Sequence, residues 1–154
     1  MTVFRAAGPD DLDGIMHLYR QLQPGDPVLD DGSDTATFAV ILGTPGLTLF
    51  VLEDEDAARL VATTYLNVIP NLSRSARPYA VVENVVVDEA LRGTGLGRRI
   101  MAGTLQAAWD AGCYKAMLLT GSHDPSTHAF YRACGFSADA KTAYLARPPA
   151  AAAR

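Results

Sequence analysis

Apolar residues recur at two spacings along this chain, every third or fourth position in some stretches and every second position or continuously in others. "TVFRAA" (2–7) alternates weakly and predicts a short first strand. In "GPDDLDGIMHLYRQL" (8–22), Leu12, Ile15, Met16, Tyr19 and Leu22 share one helical face and His17 falls on the polar side. Pro9, Asp10 and Asp11 give that helix an acidic start, favourable at the positive end of its dipole. "QPGDPVLDDGSD" (23–34) is a turn-rich acidic surface loop, and Ser33 or Asp34 is expected to cap a second helix running to Leu42, ended by "GTPG".

The middle of the chain changes period. "LTLFVLED" (47–54) and "ARLVATTYLNVI" (58–69) are β-rich runs on either side of an acidic turn, and so predict an antiparallel hairpin. After the turn region 70–78, "YAVVENVVV" (79–87) is the most β-branched segment of the chain and the expected central strand. From Leu96 the period returns to helical: Leu96, Ile100, Leu105 and Ala108 lie on one side and Arg98, Arg99, Gln106 and Asp110 on the other, with Gly112 as the stop. "YKAMLLT" (114–120) predicts a buried strand. Asp124 as N-cap, Pro125 at the first helical position and Gly135 at the end bracket a last helix. "TAYLARP" (142–148) can form a final strand. The succession is that of a mixed α/β domain without internal repeats.

Composition changes this picture only by exclusion. The 154 residues are 49% hydrophobic and 19% charged, which fits one ordinary domain, and the net charge is -4. The basic residues are scattered and not interleaved with aromatics, so nucleic acid is not an expected partner. No run approaches the ~20 apolar residues of a membrane span and no apolar leader opens the chain, so no membrane partner is expected and the location read from the sequence is cytoplasmic. Cys113 and Cys134 lack metal or redox spacing and read as core residues; the three histidines are not spaced as ligands, and no metal site is expected.

Chemistry concentrates where the central strand ends. "VVVDEALRGTGLGRR" (85–99) places Gly93, Gly95 and Gly97 at alternate positions immediately before a helix. A helix N-terminus has backbone N–H groups without intrahelical partners, and glycines let a ligand approach them; Arg92, Arg98 and Arg99 add positive charge. The segment therefore suits a polyphosphate, the alternative being a strand-to-helix turn that is glycine-rich for its own conformation. It is not a P-loop, since no Lys-Ser or Lys-Thr follows, and G-x-G-x-G after several β-runs fits the dinucleotide fingerprint poorly.

Arg92, Gly95 and Gly97 after "ENVVVDEAL", together with "FYRACGF" (130–136), resemble the two signature segments of the GNAT N-acetyltransferase family, in order and spacing. The resemblance implies an α/β (α+β) fold in a single domain over residues 1–147. Its sheet would be mixed and mostly antiparallel, flanked by about four helices, with 148–154 as a flexible tail. It implies acetyl-CoA as co-substrate, with Arg92, Gly93, Thr94, Gly95, Leu96, Gly97 and Arg98 around its pyrophosphate and the backbone of Val85, Val86 and Val87 along its pantetheine arm. Ser126 and Thr127 would touch that arm, and Tyr131 would be the acid for the departing thiolate.

Acetyl transfer also needs a base for the amine. Period-two geometry puts Glu83 on the same face of the strand as Val85 and Val87, bordering the cofactor, where a carboxylate can take the proton directly or through water. The alternative is an edge glutamate or a structural ion pair; for Tyr131 it is a packed tyrosine. Asn84 reads as a polar sheet residue on the other face, Phe130 and Phe136 as core, and His128 as a residue near the entrance. The expected acceptor is the primary amine of a small molecule, reached by direct attack in a ternary complex. "VVENVVV", "GCYKAMLL" and "FYRACGF" also resemble glucosamine-6-phosphate N-acetyltransferases, with Arg147 a candidate for the sugar phosphate. A non-catalytic acyl-CoA-binding module is the other alternative. Homodimerisation through "TAYLA" is a further expectation from the family resemblance.

Overall fold

The computed structural model describes residues 1–149. They fall into two compact units, Met1–Leu118 and the chain from Leu119 onward.

The first unit is built on a sheet whose spatial order follows the chain: β1 (Thr2–Ala6), β2 (Leu47–Asp54), β3 (Arg59–Ile69), β4 (Tyr79–Val87) and β5 (Ala116–Met117). Neighbours are antiparallel except β4 and β5, which are parallel. A parallel step needs a crossover, and here it is the long helix α4 (Leu96–Asp110). Helices α1 (Leu12–Leu22) and α2 (Ser33–Gly43) precede the hairpin, and a single turn, α3 (Ser73–Ala76), interrupts the 70–78 connection. The second unit contains α5 (Pro125–Ala133). The mixed, mostly antiparallel sheet flanked by helices is the one the resemblance implies, while α3 falls in a segment read from the sequence as a turn.

Two apolar layers sandwich the sheet. One joins Ile15 and Leu18 of α1 and Phe38 of α2 to Leu49, Val51 and Val86; the other joins Ile100 of α4 to Leu52 and Ala62, with Phe4 and Val87 against it. Leu18, outside the expected face of α1, is fully buried, whereas Met16 is only half-buried. On α4 the buried residues are Ile100, Met101, Thr104 and Ala108, with Leu105 half-buried; Thr104 shares a 2.6 Å hydrogen bond with Thr64 and so enters the interior satisfied. Gly103 is there for proximity, since a Cβ would stand 2.6 Å from the ring of Phe4.

Four expectations are corrected. The second helix is not capped by Ser33 or Asp34: Gly32 is the N-cap at φ 78°, and Asp31 accepts from the Ser33 N–H. The strand expected at 114–120 forms only at Ala116–Met117, because the chain pairs with β4 at two positions and then leaves the sheet. Residues 142–148 form no strand; Tyr144 and Leu145 are exposed without a ladder. Cys113 is buried as expected, but Cys134, Phe130 and Phe136 are only half-buried. Of the tail expected at 148–154, residues 150–154 lie outside those described.

Candidate active site

β4 does not keep the alternation of its sequence. Its register against β3 shifts by one between the Tyr65–Glu83 and Thr63–Val86 pairs, and Asn84 has φ 49°, in the left-handed region. Two residues, Asn84 and Val85, therefore face the single residue Thr64, which is a β-bulge. Directly paired residues share a face, so Glu83 sides with Tyr65, Thr63 and Val86, toward α1 and α2. Val87 pairs with Ala62 and packs toward α4. The expected common face of Glu83, Val85 and Val87 is thus wrong. The bulge restarts the alternation between them, and Asn84 is an exposed turning point rather than a sheet residue of the opposite face.

Glu83 is half-buried opposite Tyr65. Tyr19 of α1 packs into the same cluster, and its hydroxyl accepts from Asn84 Nδ2 at 3.4 Å. Burial pushes the Tyr19 phenol up to about 12 and raises that of Tyr65 as well, so both stay neutral donors at physiological pH. These tyrosines escape a sequence reading because they sit at apolar positions of their elements.

Downstream of the bulge the strand is open on one side. The β4–β5 ladder ends at Val81, and among the described residues no strand lies beyond it along Glu83–Val87 on that edge. The Val87 carbonyl accepts from Arg92 Nε at 3.3 Å. Asp88 then ends the strand: its side chain accepts from the Ala90 N–H at 3.0 Å and from Arg59 at 2.8 Å, and its own N–H donates to the Val61 carbonyl at 2.9 Å.

The turn is finished by Gly93 (φ 78°) and Gly95 (φ 91°), with the Thr94 hydroxyl on the Leu91 carbonyl. A Cβ on either glycine would meet no protein atom within 4 Å, so backbone conformation and open space, not packing, account for them. Gly95 is the N-cap of α4 and has no side-chain cap; the first helical bond runs from Arg99 N–H to the Gly95 carbonyl. The amides of Leu96, Gly97 and Arg98 therefore begin the helix without intrahelical acceptors. Arg92 and Arg98 are exposed beside them. Arg99 is not available as the sequence suggested, because its guanidinium bonds the hydroxyl and carbonyl of Thr2 in β1. Uncapped amides, left-handed glycines and two nearby guanidiniums form a donor set that fits a pyrophosphate.

In the second unit, Asp124 caps α5 by accepting from the Ser126 N–H at 2.8 Å, and that bond holds its carboxyl below the usual range. Ser126 is exposed; the Thr127 hydroxyl meets that of Ser122 at 3.3 Å. His128 Nε2 is 2.8 Å from the Ser122 carbonyl, an anchor for the loop before the helix. Tyr131 is half-buried, with Phe130 at 5.1 Å and Phe136 edge-on at 6.2 Å between ring centroids. The first unit thus brings Glu83, Val85–Val87 and the glycine segment onto one strand and its continuation, while Ser126, Thr127 and Tyr131 share α5.

Among the described residues no group of His, Cys, Asp or Glu side chains is arranged to hold a metal ion, and no helix is long and apolar enough to cross a membrane. A separate cleft of about 550 Å³, lined by Arg5, Asp10, Gly14, His17 and Arg59 among others, contains none of the residues predicted for the site.

Most of the chain is similar to known proteins. The model of the acetyltransferase (GNAT) family matches residues 12–136. Glucosamine 6-phosphate N-acetyltransferase 1 of Oryza sativa subsp. japonica is 35% identical over 125 residues, 80% of this chain and 73% of that protein. The glucosamine 6-phosphate N-acetyltransferase of Trypanosoma brucei brucei is 28% identical over 134 residues, 87% of this chain and 88% of that one. A solved chain of Agrobacterium tumefaciens strain C58, assigned provisionally to the acetyltransferases, superposes with a TM-score of 0.87 at 49% identity, covering 95% of this chain and 99% of that one.

Proposed function

The chain belongs to the GNAT acetyltransferase family, and from that premise we propose that it transfers the acetyl group of acetyl-CoA to the primary amine of a small molecule, by direct attack in a ternary complex. The observation that carries the cofactor half of this reading is the open edge of β4 running into the uncapped start of α4. An extended pantetheine arm suits the first and a pyrophosphate the second. Leu96, Gly97 and Arg98 would donate their amides to the phosphates, with Arg92 and Arg98 adding charge and Gly93, Thr94 and Gly95 shaping the approach. The backbone of Val85–Val87 would hold the arm, and Ser126 and Thr127 would add contacts to it.

Glu83 is the base of this reading: its carboxylate takes the amine proton, directly or through a water, as nitrogen bonds to the thioester carbon. A backbone N–H of the bulged strand stabilises the oxyanion. When the carbon–sulfur bond breaks, Tyr131 supplies the proton to the thiolate. A narrower reading, with glucosamine 6-phosphate as acceptor, is supported by the names of the rice and trypanosomal relatives. The segment "TAYLA" (142–146), with Tyr144 and Leu145 exposed, is where a second copy would pair in a homodimer. The cytoplasm is the compartment in which such a protein would meet acetyl-CoA.

The test is thiol release from acetyl-CoA with a panel of amines that includes glucosamine 6-phosphate and an aminoglycoside. Turnover with at least one amine is expected. Tight CoA binding with no release on any amine would replace this reading by that of a non-catalytic acyl-CoA-binding module.

A further inference from the structure

We propose that α1 is a clamp on the bulged segment of β4, with Tyr19 and Gln21 as positioning residues and Asn84 as the pivot they hold; the proposal rests on the acetyl-transfer reading above. Two hydrogen bonds from one helix bracket the stretch that reading uses. Tyr19 Oη accepts from Asn84 Nδ2 at 3.4 Å immediately after Glu83, and Gln21 Oε1 accepts from the Glu89 N–H at 2.8 Å just beyond Asp88. The Gln21 amide is itself oriented, since its Nε2 lies 3.2 Å from His17 Nε2 one turn earlier. Ile15 and Leu18 anchor the helix in the apolar layer that includes Val86. The two polar contacts therefore hang from a fixed body, at positions 19 and 21, on either side of Val85–Asp88.

The pivot is the residue that needs holding. Asn84 has φ 49°, which asparagine tolerates better than other side chains with a Cβ and a β-branched residue hardly at all. A regular strand with the same sequence would slip the alternation by one, turning Glu83 or Val87 to the wrong layer. The left-handed conformation at Asn84 lets the carboxylate face α1 while Val87 faces α4, and the Tyr19 bond discourages its return to the extended form.

The experiment uses the full chain and four variants. Tyr19→Phe and Gln21→Met each remove one contact and are expected to raise KM for acetyl-CoA about three- to tenfold, as for a lost hydrogen bond, with KM for the amine unchanged. Gln21→Glu keeps an acceptor for the Glu89 N–H and is expected to restore the wild-type value. Asn84→Gly keeps the left-handed conformation and should match Tyr19→Phe, and combining the two should add nothing. Hydrogen exchange at the amides of Val85–Val87, read without any substrate, should quicken about tenfold in Tyr19→Phe and Gln21→Met and return to the wild-type rate in Gln21→Glu. Unchanged KM and unchanged exchange in the two contact-removing variants would overturn the clamp. If wild-type protein neither binds nor turns over acetyl-CoA, the functional reading fails, while the exchange measurement still decides the clamp.

Discussion

Arg59 donates to the Asp88 carboxylate at 2.8 Å, tying the first residue of β3 to the turn that leads from β4 into the glycines. Asp88 is buried and also caps the short turn Glu89–Leu91 through the Ala90 N–H. Asp88→Ala removes the cap and the ion pair together. An unfolding cost of about 1–3 kcal/mol is expected, measurable by urea titration. CoA affinity should fall with it, because the glycine segment loses its fixed origin. Arg59 is exposed enough to be resolvated when Asp88 is removed, whereas Arg59→Ala leaves the buried Asp88 carboxylate without its cation and should destabilise at least as much.

Gly95 and Gly97 should respond in opposite ways to alanine. Gly95 stands at φ 91°, where a Cβ is strained, and Gly95→Ala should destabilise by about 1 kcal/mol. Gly97 lies inside α4 without a left-handed φ, so Gly97→Ala should leave thermal stability equal or raised by up to about 1 kcal/mol. Its methyl would nevertheless crowd the amides assigned to the pyrophosphate, and calorimetry should show CoA binding weakened about tenfold or more. A Gly97→Ala variant that is both stable and fully competent would remove that amide from the cradle.

The alternation of strand and helix was readable because burial imposes its period on the sequence, as the hairpin β2–β3 and the bracketed helix α5 illustrate. The bulge in β4 was not: "VVENVVV" looks like an uninterrupted strand, and only the left-handed φ at Asn84 and the shifted pairing with β3 reveal that Glu83 and Val87 serve different layers. The left-handed glycines and the uncapped helix start could be anticipated from backbone chemistry alone. That Arg99 would be diverted to Thr2 could not, since the two meet only through the fold. The last strand was overread because "TAYLARP" has β-forming residues but finds no ladder partner among the described residues.

Acid stability should depend on Asp11. Arg5 bonds it in a fork at 2.6 and 2.9 Å, and the Gly8 N–H adds a third bond at 2.7 Å, so its carboxyl is held below the usual carboxylate range. With the native value below the unfolded one of about 3.9, its contribution is complete above roughly pH 5 and is lost as pH falls through the native value. Asp11→Asn should therefore cost about 1–2 kcal/mol at pH 7, and the two stability curves should converge toward pH 2. A constant gap from pH 7 to pH 2 would show that the charge is not what matters.

Glu83→Gln and Tyr131→Phe should each lower kcat about a hundredfold while leaving the Kd for CoA unchanged. Single-turnover measurements under saturating acetyl-CoA separate the two. Equal rates in wild type and both variants would reassign the acid and base to other groups.

Arg99 gives its guanidinium to the hydroxyl and carbonyl of Thr2, two residues separated by 97 positions. The first residues of the chain are thereby moored to the first turn of the helix whose opening amides face the proposed pyrophosphate. A purification tag or spectroscopic label joined at Met1 would leave from an exposed residue beside that mooring, so CoA affinity measured with and without it would show whether the mooring bears on the glycine segment.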